Sequence, residues 1–159
     1  VGADTLFSSM FTAYDALDEE TKRLIQPLSA VHSYSTYYAK SFADREPLTE
    51  VQKAATPDVI HPLVRRHQET GRPSLFVGQD IVKEIVGLPP EESEALLARL
   101  NAHAVSEQFV YRHKWQAHDL LIWDNRCTMH QATPYDDVAY RRVMHRATVK
   151  GSERPQALV

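Results

Sequence analysis

The chain has 159 residues, 43% of them hydrophobic and 25% charged, and its formal net charge is −3 at pH 7. This length allows a sizeable core, so we treat residues 1–159 as a single domain. Charge and hydropathy argue against a general nucleic-acid binder and a membrane-spanning protein. The only cysteine, Cys127, cannot form an internal disulfide, which favours a reducing, cytoplasmic setting.

Helical patterns dominate the first part of the chain. Asp4 is a candidate N-cap, and the apolar residues that follow it up to Leu17 recur at helical spacing. Asp18 is a candidate N-cap for a second helix over 19–25. Residues 39–58 are polar and contain two prolines. They predict a long loop that serves as a lid or a flexible segment.

Strand patterns dominate the second part. HPLVRRHQETGRPSLFV predicts two strands around a turn at residues 69–71. The clearest helix lies in LPPEESEALLARLNAHAV, which has a proline and acidic residues in its first turn and a leucine stripe. FVYRHKW, LLIW and YRRVMHRATV predict further strands, the first and last by their alternation. Without regular alternation of strands and helices, a mainly antiparallel sheet or barrel is favoured over a doubly wound sheet.

Several catalytic motifs are absent from the sequence. It contains no phosphate loop, no G-x-G-x-x-G, no G-x-S-x-G and no H-E-x-x-H. Cys127 and His130 have a spacing that zinc sites use. No second pair completes such a site, which argues against zinc.

Two arginines follow His130 closely. On a strand, Arg142 and Arg146 would share one face, about 13 Å apart at their Cα atoms. The planar guanidinium matches a carboxylate bidentately, so each arginine could hold a different anionic group. Spacing alone leaves two alternatives open: the arginines could lie on a solvated face, and His130 could be a structural residue in a polar turn.

The same region resembles a known family. WDNRCTMHQAT followed by YRRVMHRATV is similar to the C-terminal signature of the TauD/TfdA family of Fe(II)- and 2-oxoglutarate-dependent dioxygenases. HPLVRRHQETGRPSLFV, the GLPPEES helix, YRHKWQAHDLLIWDN and the opening GADTLF also resemble family segments, in the family's order. The resemblance implies a mainly β fold with flanking helices, namely the cupin-like jelly roll called a double-stranded β-helix.

The resemblance also implies residue roles and cofactors. His130 matches the distal histidine of the 2-His-1-carboxylate triad that holds Fe(II). Thr5 and Arg142 match the residues that bind the far carboxylate of the co-substrate 2-oxoglutarate. Arg146 matches an arginine that binds the acidic group of the substrate in several members. The spacing of twelve residues between His130 and Arg142 resembles the phenoxyacetate-degrading branch more than the taurine branch.

The triad also requires a His-x-Asp pair, and that tripeptide does not occur in the sequence. His118 and Asp119 are adjacent, so on a strand they would point to opposite faces, and we predict a turn there. In the family, the pair precedes the threonine that Thr5 matches. We therefore expect the two remaining ligands, with the first strands of the barrel, upstream of Val1, and we expect this segment alone to bind iron poorly and to be inactive.

The predicted function of the parent protein is the hydroxylation of a small anionic substrate by dioxygen, with 2-oxoglutarate as co-substrate. The branch resemblance favours an aryloxyalkanoate (phenoxypropionate or phenoxyacetate), with release of a phenol, succinate and CO2. Taurine, alkylsulfonates or alkylsulfates are alternatives, because arginine also binds these groups. A non-catalytic anion-binding barrel is the alternative from another class. The resemblance further implies a homo-oligomer, and the charge and composition argue against nucleic acid or a membrane as a partner.

Overall fold

The structure is a computed structural model that describes residues 3–151 and 153–158. Its α-helices are α1 (Met10–Asp15), α2 (Glu19–Ile25), α3 (Tyr34–Ser41), α4 (Glu50–Ala55) and α5 (Pro90–Ala104). Its strands are β1 (Thr5–Ser9), β2 (Ser29–His32), β3 (Val59–Pro62), β4 (Val64–Arg66), β5 (Pro73–Leu75), β6 (Val82–Ile85), β7 (Val110–His113), β8 (Thr128–Ala132) and β9 (Gln156–Ala157). Gly2, in the opening motif, lies outside the described residues.

The strands form three small antiparallel sheets, with strand orders β7-β1-β8, β3-β2-β6 and β5-β4-β9. Helices flank them, which confirms the predicted mainly β class in its coarse form. In the first sheet, β1 pairs along one edge with β7 and along the other with β8. This pairing brings the opening motif and the C-terminal signature side by side.

Helix α5 packs against the core and ties two sheets together, as its leucine stripe predicted. Leu96, Leu97 and Leu100 are buried in the main apolar cluster. The backbone N–H of Ile85 in β6 donates to the Ser93 hydroxyl of α5 at 2.8 Å. Because these contacts and the stripe lie on one face of the helix, α5 fixes the position of the neighbouring strands.

The prediction of a first helix starting at Asp4 is wrong. Residues Thr5–Ser9 form β1, and helix α1 begins at Met10 with Ser9 as its N-cap. Pairing with a strand on each side gives β1 backbone hydrogen bonds along both edges, and this tertiary pairing outweighs the helical spacing of the side chains. The predicted cap of the second helix is confirmed, since Asp18 accepts a hydrogen bond from the Thr21 N–H at 2.7 Å.

Residues 39–58 are not one continuous loop. The segment begins in the last turns of α3 and contains α4. A capping box starts α4: the Thr49 hydroxyl accepts from the Gln52 N–H, while the Gln52 side chain accepts from the Thr49 N–H. This reciprocal pair of bonds satisfies two backbone donors and explains why a helix forms in a polar segment. The role of this segment as a lid stays a prediction.

Two predicted strands, LLIW and YRRVMHRATV, do not form. Leu120 and Ile122 are each 85% exposed, and residues 133–150 contain no strand. Alternation gives a segment the side-chain pattern of a strand, but a strand also needs a neighbour for its backbone hydrogen bonds. None of the strands within residues 3–151 and 153–158 provides one here.

The predicted hairpin within residues 61–77 is confirmed. Strands β4 and β5 pair antiparallel, and Gly71 in the turn between them has a φ of 71°. A positive φ is unstrained in glycine because it has no Cβ. The turn predicted near His118 is also confirmed, and His118 itself has a φ of 73°.

Among the described residues, no helix has the length and the apolar character that crossing a membrane requires.

A histidine pair lies on neighbouring strands of the sheet β3-β2-β6, with His32 in β2 and His61 in β3. The ring of His32 contacts those of His61 and Phe76, with centroid distances of 5.0 and 4.5 Å. Burial, followed by the nearby charges of His61 and Arg65, lowers the pKa of His32 from 6.5 to about 4. The unfolded chain therefore binds a proton at this site more readily than the folded protein between these two values.

We expect the free energy of unfolding to decrease as the pH falls from 6.5 towards 4, with His32 contributing about 2 kcal/mol of the loss after allowance for its partial exposure. Urea denaturation at pH 7 and pH 4.5 measures it. His32→Phe, which keeps an aromatic ring but cannot titrate, should lose about 2 kcal/mol less than the unmodified protein over this range. The control His118→Asn changes an exposed turn residue and should leave the loss unaltered. If His32→Phe lost as much free energy of unfolding as the unmodified protein, His32 would not be the group that titrates.

Candidate functional site

The register of β1 and β8 places Thr5 and His130 on the same face of a sheet. Phe7 lies directly opposite His130, and Thr5 directly opposite Ala132. Opposed residues of antiparallel strands point to the same face, as do residues two apart along one strand. The opposite face carries Ser8, whose hydroxyl donates to a backbone carbonyl of α5. One face therefore packs on α5, and the other presents the Thr5 hydroxyl and the His130 imidazole together.

Two aromatic rings orient His130. Phe7 stacks on it with a centroid distance of 6.0 Å, and Trp123 packs at 5.2 Å. The side chain of His130 is exposed overall, but partial burial of its ring is the main cause that lowers its pKa, and the positive charge of Arg146 lowers it further. His130 is therefore neutral at pH 7, which is the form of imidazole that binds a metal.

Thr5 is buried and oriented. Its side chain is 7% exposed, and its hydroxyl oxygen accepts a hydrogen bond from the Trp115 indole N–H at 2.9 Å. A hydroxyl that accepts one hydrogen bond still has its own hydrogen to donate. Thr5 can therefore donate that hydrogen to an anion on the His130 face of the sheet.

The two arginines lie in the extended segment after β8, outside regular secondary structure. Arg142 is partly buried, and Arg146 is exposed. The expectation that they share a face through strand alternation is wrong, because the segment forms no strand. The structure brings Thr5 and His130 to one sheet face through the pairing of β1 and β8. That Arg142 and Thr5 bind the same carboxylate stays a prediction.

A second polar cluster was not foreseen from the sequence. Ligand atoms of His67, Asp124 and Cys127 all lie within 4.8 Å of one another, so Cys127 has neighbours other than the His130 suggested by its spacing. The carboxylate of Asp124 accepts hydrogen bonds from the Arg126 guanidinium at 2.6 to 3.1 Å and contacts Nε2 of His67 at 3.1 Å. The Arg126 guanidinium, ahead of the other causes, holds the pKa of Asp124 well below its usual range. The acidic–basic pair in WDNR, Asp124 and Arg126, is the only sign of this cluster in the sequence. His67, which contacts Asp124, lies 57 residues away.

His130 fits a metal site as one ligand. A facial-triad iron needs two histidines and one carboxylate, and the neutral imidazole of His130 supplies one of these. Among residues 3–151 and 153–158, the cluster of three potential metal-binding groups is His67, Asp124 and Cys127, and it does not include His130. The described residues thus offer one candidate ligand of such a triad on the sheet face, and the two others are not found beside it.

The family model described as "Taurine catabolism dioxygenase TauD, TfdA family" matches residues 1–148. The chain belongs to the TauD/TfdA family. This confirms the resemblance found in the C-terminal signature and in the segments before it. The match also extends beyond the sheet β7-β1-β8 to include both arginines.

Individual members of the family are similar to the chain. It is 43% identical over 150 residues to the alpha-ketoglutarate-dependent 2,4-dichlorophenoxyacetate dioxygenase of Burkholderia sp. (strain RASC), covering 94% of the chain and 49% of that protein. It is 40% identical over 162 residues to the (S)-phenoxypropionate/alpha-ketoglutarate-dioxygenase of Sphingobium herbicidovorans, and this match covers 95% of the chain and 53% of that protein. The chain spans about half the length of these curated relatives.

A solved structure is similar over nearly the whole chain. The crystal structure of AAD-2 in complex with Mn(II) and N-oxalylglycine matches with a TM-score of 0.86 and 40% identity. The match covers 98% of this chain and 60% of AAD-2. The arrangement of the three small sheets and their helices is therefore that of part of a TauD/TfdA member.

Proposed function

We propose that the protein carrying this chain is a non-haem Fe(II)- and 2-oxoglutarate-dependent dioxygenase that hydroxylates a small anionic substrate, an aryloxyalkanoate such as phenoxypropionate or phenoxyacetate. The observation that carries the proposal is the sheet face that presents Thr5 and His130 together. Identities of 40–43% to aryloxyalkanoate dioxygenases support the substrate class.

The proposed roles at the cofactors follow from the donor chemistry of this face. The neutral imidazole of His130 would be one iron ligand, and the bound iron would activate dioxygen in a reaction coupled to oxidative decarboxylation of 2-oxoglutarate. The Thr5 hydroxyl and the Arg142 guanidinium would bind the far carboxylate of 2-oxoglutarate by charge-assisted hydrogen bonds. N-oxalylglycine, present in the AAD-2 structure, differs from 2-oxoglutarate by an NH in place of a CH2 group, which supports this co-substrate.

Arg146 would bind the carboxylate of the substrate. A fixed anionic end holds the neighbouring C–H at a defined distance from the reacting centre, and this positioning accelerates the reaction. One oxygen atom of O2 enters succinate, formed with CO2, and the other hydroxylates the carbon next to the ether oxygen. The resulting hemiacetal or hemiketal then breaks its bond to the aryloxy oxygen and releases a phenol.

The proposal extends to the whole protein. The chain covers about half of its relatives, so the remaining triad ligands, a His-x-Asp pair, would come from a part of the protein outside residues 1–159. With that part, the sheets would complete a double-stranded β-helix, and residues 39–58 would serve as a lid. We further propose a cytoplasmic homo-oligomer that binds neither nucleic acid nor membranes.

Assays of the native protein with Fe(II) and 2-oxoglutarate test the function. We expect phenoxypropionate or phenoxyacetate to drive succinate formation, with one phenol released per succinate. Phenoxyethanol, which has the same ring and ether but no carboxylate, is the matched control. It should lower kcat/KM by at least about 30-fold, the loss expected when a charge pair of about 2 kcal/mol is not formed.

Other outcomes separate the alternatives. Succinate formation driven by taurine or an alkylsulfate instead of the aryloxyalkanoates would favour the sulfonate and sulfate branch. Binding of these anions without any consumption of 2-oxoglutarate would favour a non-catalytic barrel and refute the enzyme proposal.

A further inference from the structure

The turn that leads into β8, residues 124–127, is held by the β4–β5 hairpin. The buried ring of His67, 7% exposed, contacts the Asp124 carboxylate at 3.1 Å from Nε2. The Arg65 guanidinium donates to the backbone carbonyl of Asn125 at 3.0 Å. Glu69 accepts from the Arg126 guanidinium at 2.7 Å. Three hairpin residues thus contact three consecutive turn residues that lie far away in the sequence.

His67 is itself fixed in orientation. Its Nδ1 lies 3.1 Å from the Thr70 hydroxyl, while its Nε2 faces Asp124. The tautomer with the proton on Nε2 satisfies both contacts, because Nε2–H donates to the carboxylate and Nδ1 accepts from the hydroxyl. A buried ring held on both sides defines the place of the Asp124 carboxylate more strictly than an exposed ion pair does.

The turn at residues 124–127 also positions the His130 imidazole. Trp123, which precedes the turn, donates from its indole N–H to the Asn125 side chain at 2.8 Å and packs its ring against His130. Cys127 ends the turn, and its backbone carbonyl accepts a hydrogen bond from the Met10 N–H at 2.9 Å. His130 lies three residues beyond the turn in β8. A shift of the turn would therefore move both the strand that carries His130 and the ring that packs on it.

The same contacts argue against a metal at His67, Asp124 and Cys127. Both carboxylate oxygens of Asp124 already accept from the Arg126 guanidinium. A cation here would have to displace that guanidinium and would then lie next to the charges of Arg65 and Arg126. The network is therefore built to hold the turn in place.

We propose that His67 is a positioning residue for the iron site, acting through Asp124 and the turn on Trp123 and His130. The inference rests on the proposed function, because it takes His130 as an iron ligand. Groups that orient the ligands of a metal typically change metal affinity or activity by about 10- to 100-fold when they are replaced. Loss of the His67 contact should therefore weaken metal binding while leaving the protein folded.

The test measures Mn(II) dissociation constants by electron paramagnetic resonance on the native protein, with circular dichroism confirming the fold at the same temperature. His67→Leu should raise the Kd by about 10-fold or more. His67→Gln, whose amide NH2 can donate from near the Nε2 position, should restore it to within about threefold of the unmodified value. The control Arg66→Gln changes an exposed arginine of the same hairpin, in β4, and should leave the Kd unchanged.

If His67→Leu does not fold, Thr70→Val replaces it. This variant removes the hydroxyl that contacts Nδ1, together with the longer hydrogen bond that the hydroxyl accepts from the Arg72 N–H at 3.3 Å, and it should raise the Kd by about threefold or more. An unchanged Kd in a folded His67→Leu, or in Thr70→Val when that variant is used, overturns the positioning role while the proposed function stands. A loss of affinity in His67→Gln equal to that in His67→Leu also overturns it, because the donor at Nε2 would then be irrelevant. Failure of the unmodified protein to bind Mn(II) would instead refute the proposed iron site itself.

Discussion

Replacing His130 by alanine is expected to abolish 2-oxoglutarate turnover and to weaken Mn(II) binding by more than about 100-fold in the native protein. Replacing a residue that only orients a metal ligand already lowers metal affinity or activity by about 10- to 100-fold. The loss of the ligand itself should therefore have a larger effect. Alanine also removes the ring that packs against Phe7 and Trp123. The alanine variant therefore combines a loss of ligation with a loss of packing.

His130→Phe separates these two effects. A phenyl ring fills the space between the neighbouring aromatic side chains but offers no nitrogen to a metal. We expect it to be as inactive as the alanine variant, with a free energy of unfolding closer to that of the unmodified protein. The matched control is His145→Ala, an exposed histidine in the segment after β8, which should retain turnover. Succinate formation by His130→Phe at a normal rate would remove His130 from the metal site.

Local sequence signals predicted the elements that depend on few distant contacts. The proline, acidic first turn and leucine stripe of α5 lie within the helix itself, so its bounds followed closely from the sequence. Asp18 begins α2 through a hydrogen bond to a residue three positions away. Gly71 similarly permits the β4–β5 turn from within the turn. In each case the stabilising groups are neighbours in the sequence.

Strands depended on partners that sequence periodicity does not reveal. Thr5–Ser9 has an apolar spacing that also fits a helix, and only its pairing with β7 and β8 decides for a strand. The converse holds for YRRVMHRATV, which alternates but has no neighbouring strand in the described part of the chain. Alternation therefore describes which side chains could share a face, whereas the presence of a sheet depends on residues elsewhere in the protein.

The candidate site was only partly accessible from the sequence. The family resemblance suggested Thr5 and His130 as candidates, but their common face follows from the register between β1 and β8. The spacing of Arg142 and Arg146 was interpreted through a strand that does not form. The contact of His67 with Asp124 was missed, because each residue alone resembles an ordinary polar residue in a turn. Tertiary pairing decides all of these features.

Replacing Arg142 by methionine is expected to raise the KM for 2-oxoglutarate by about 100-fold, with a smaller effect on kcat. Truncating one partner of a hydrogen-bonded charge pair that is shielded from water costs about 2–5 kcal/mol, and 100-fold corresponds to about 2.7 kcal/mol. Methionine keeps most of the apolar stem and removes the charge. Initial rates at varied 2-oxoglutarate and saturating aryloxyalkanoate measure the change. Arg142→Lys should recover only part of it, since an ammonium cannot donate two parallel hydrogen bonds.

The neighbouring arginines provide matched controls for this prediction. Arg141 is exposed, whereas Arg142 is partly buried, so Arg141→Met should leave the KM for 2-oxoglutarate unchanged. Arg146→Met should raise the KM of the aryloxyalkanoate and leave that of 2-oxoglutarate nearly unaltered, because Arg146 is assigned to the substrate. If Arg146→Met instead raised the KM for 2-oxoglutarate while Arg142→Met did not, the two roles would be exchanged. Equal effects of Arg141→Met and Arg142→Met would show that net charge, and not a specific carboxylate contact, controls co-substrate binding.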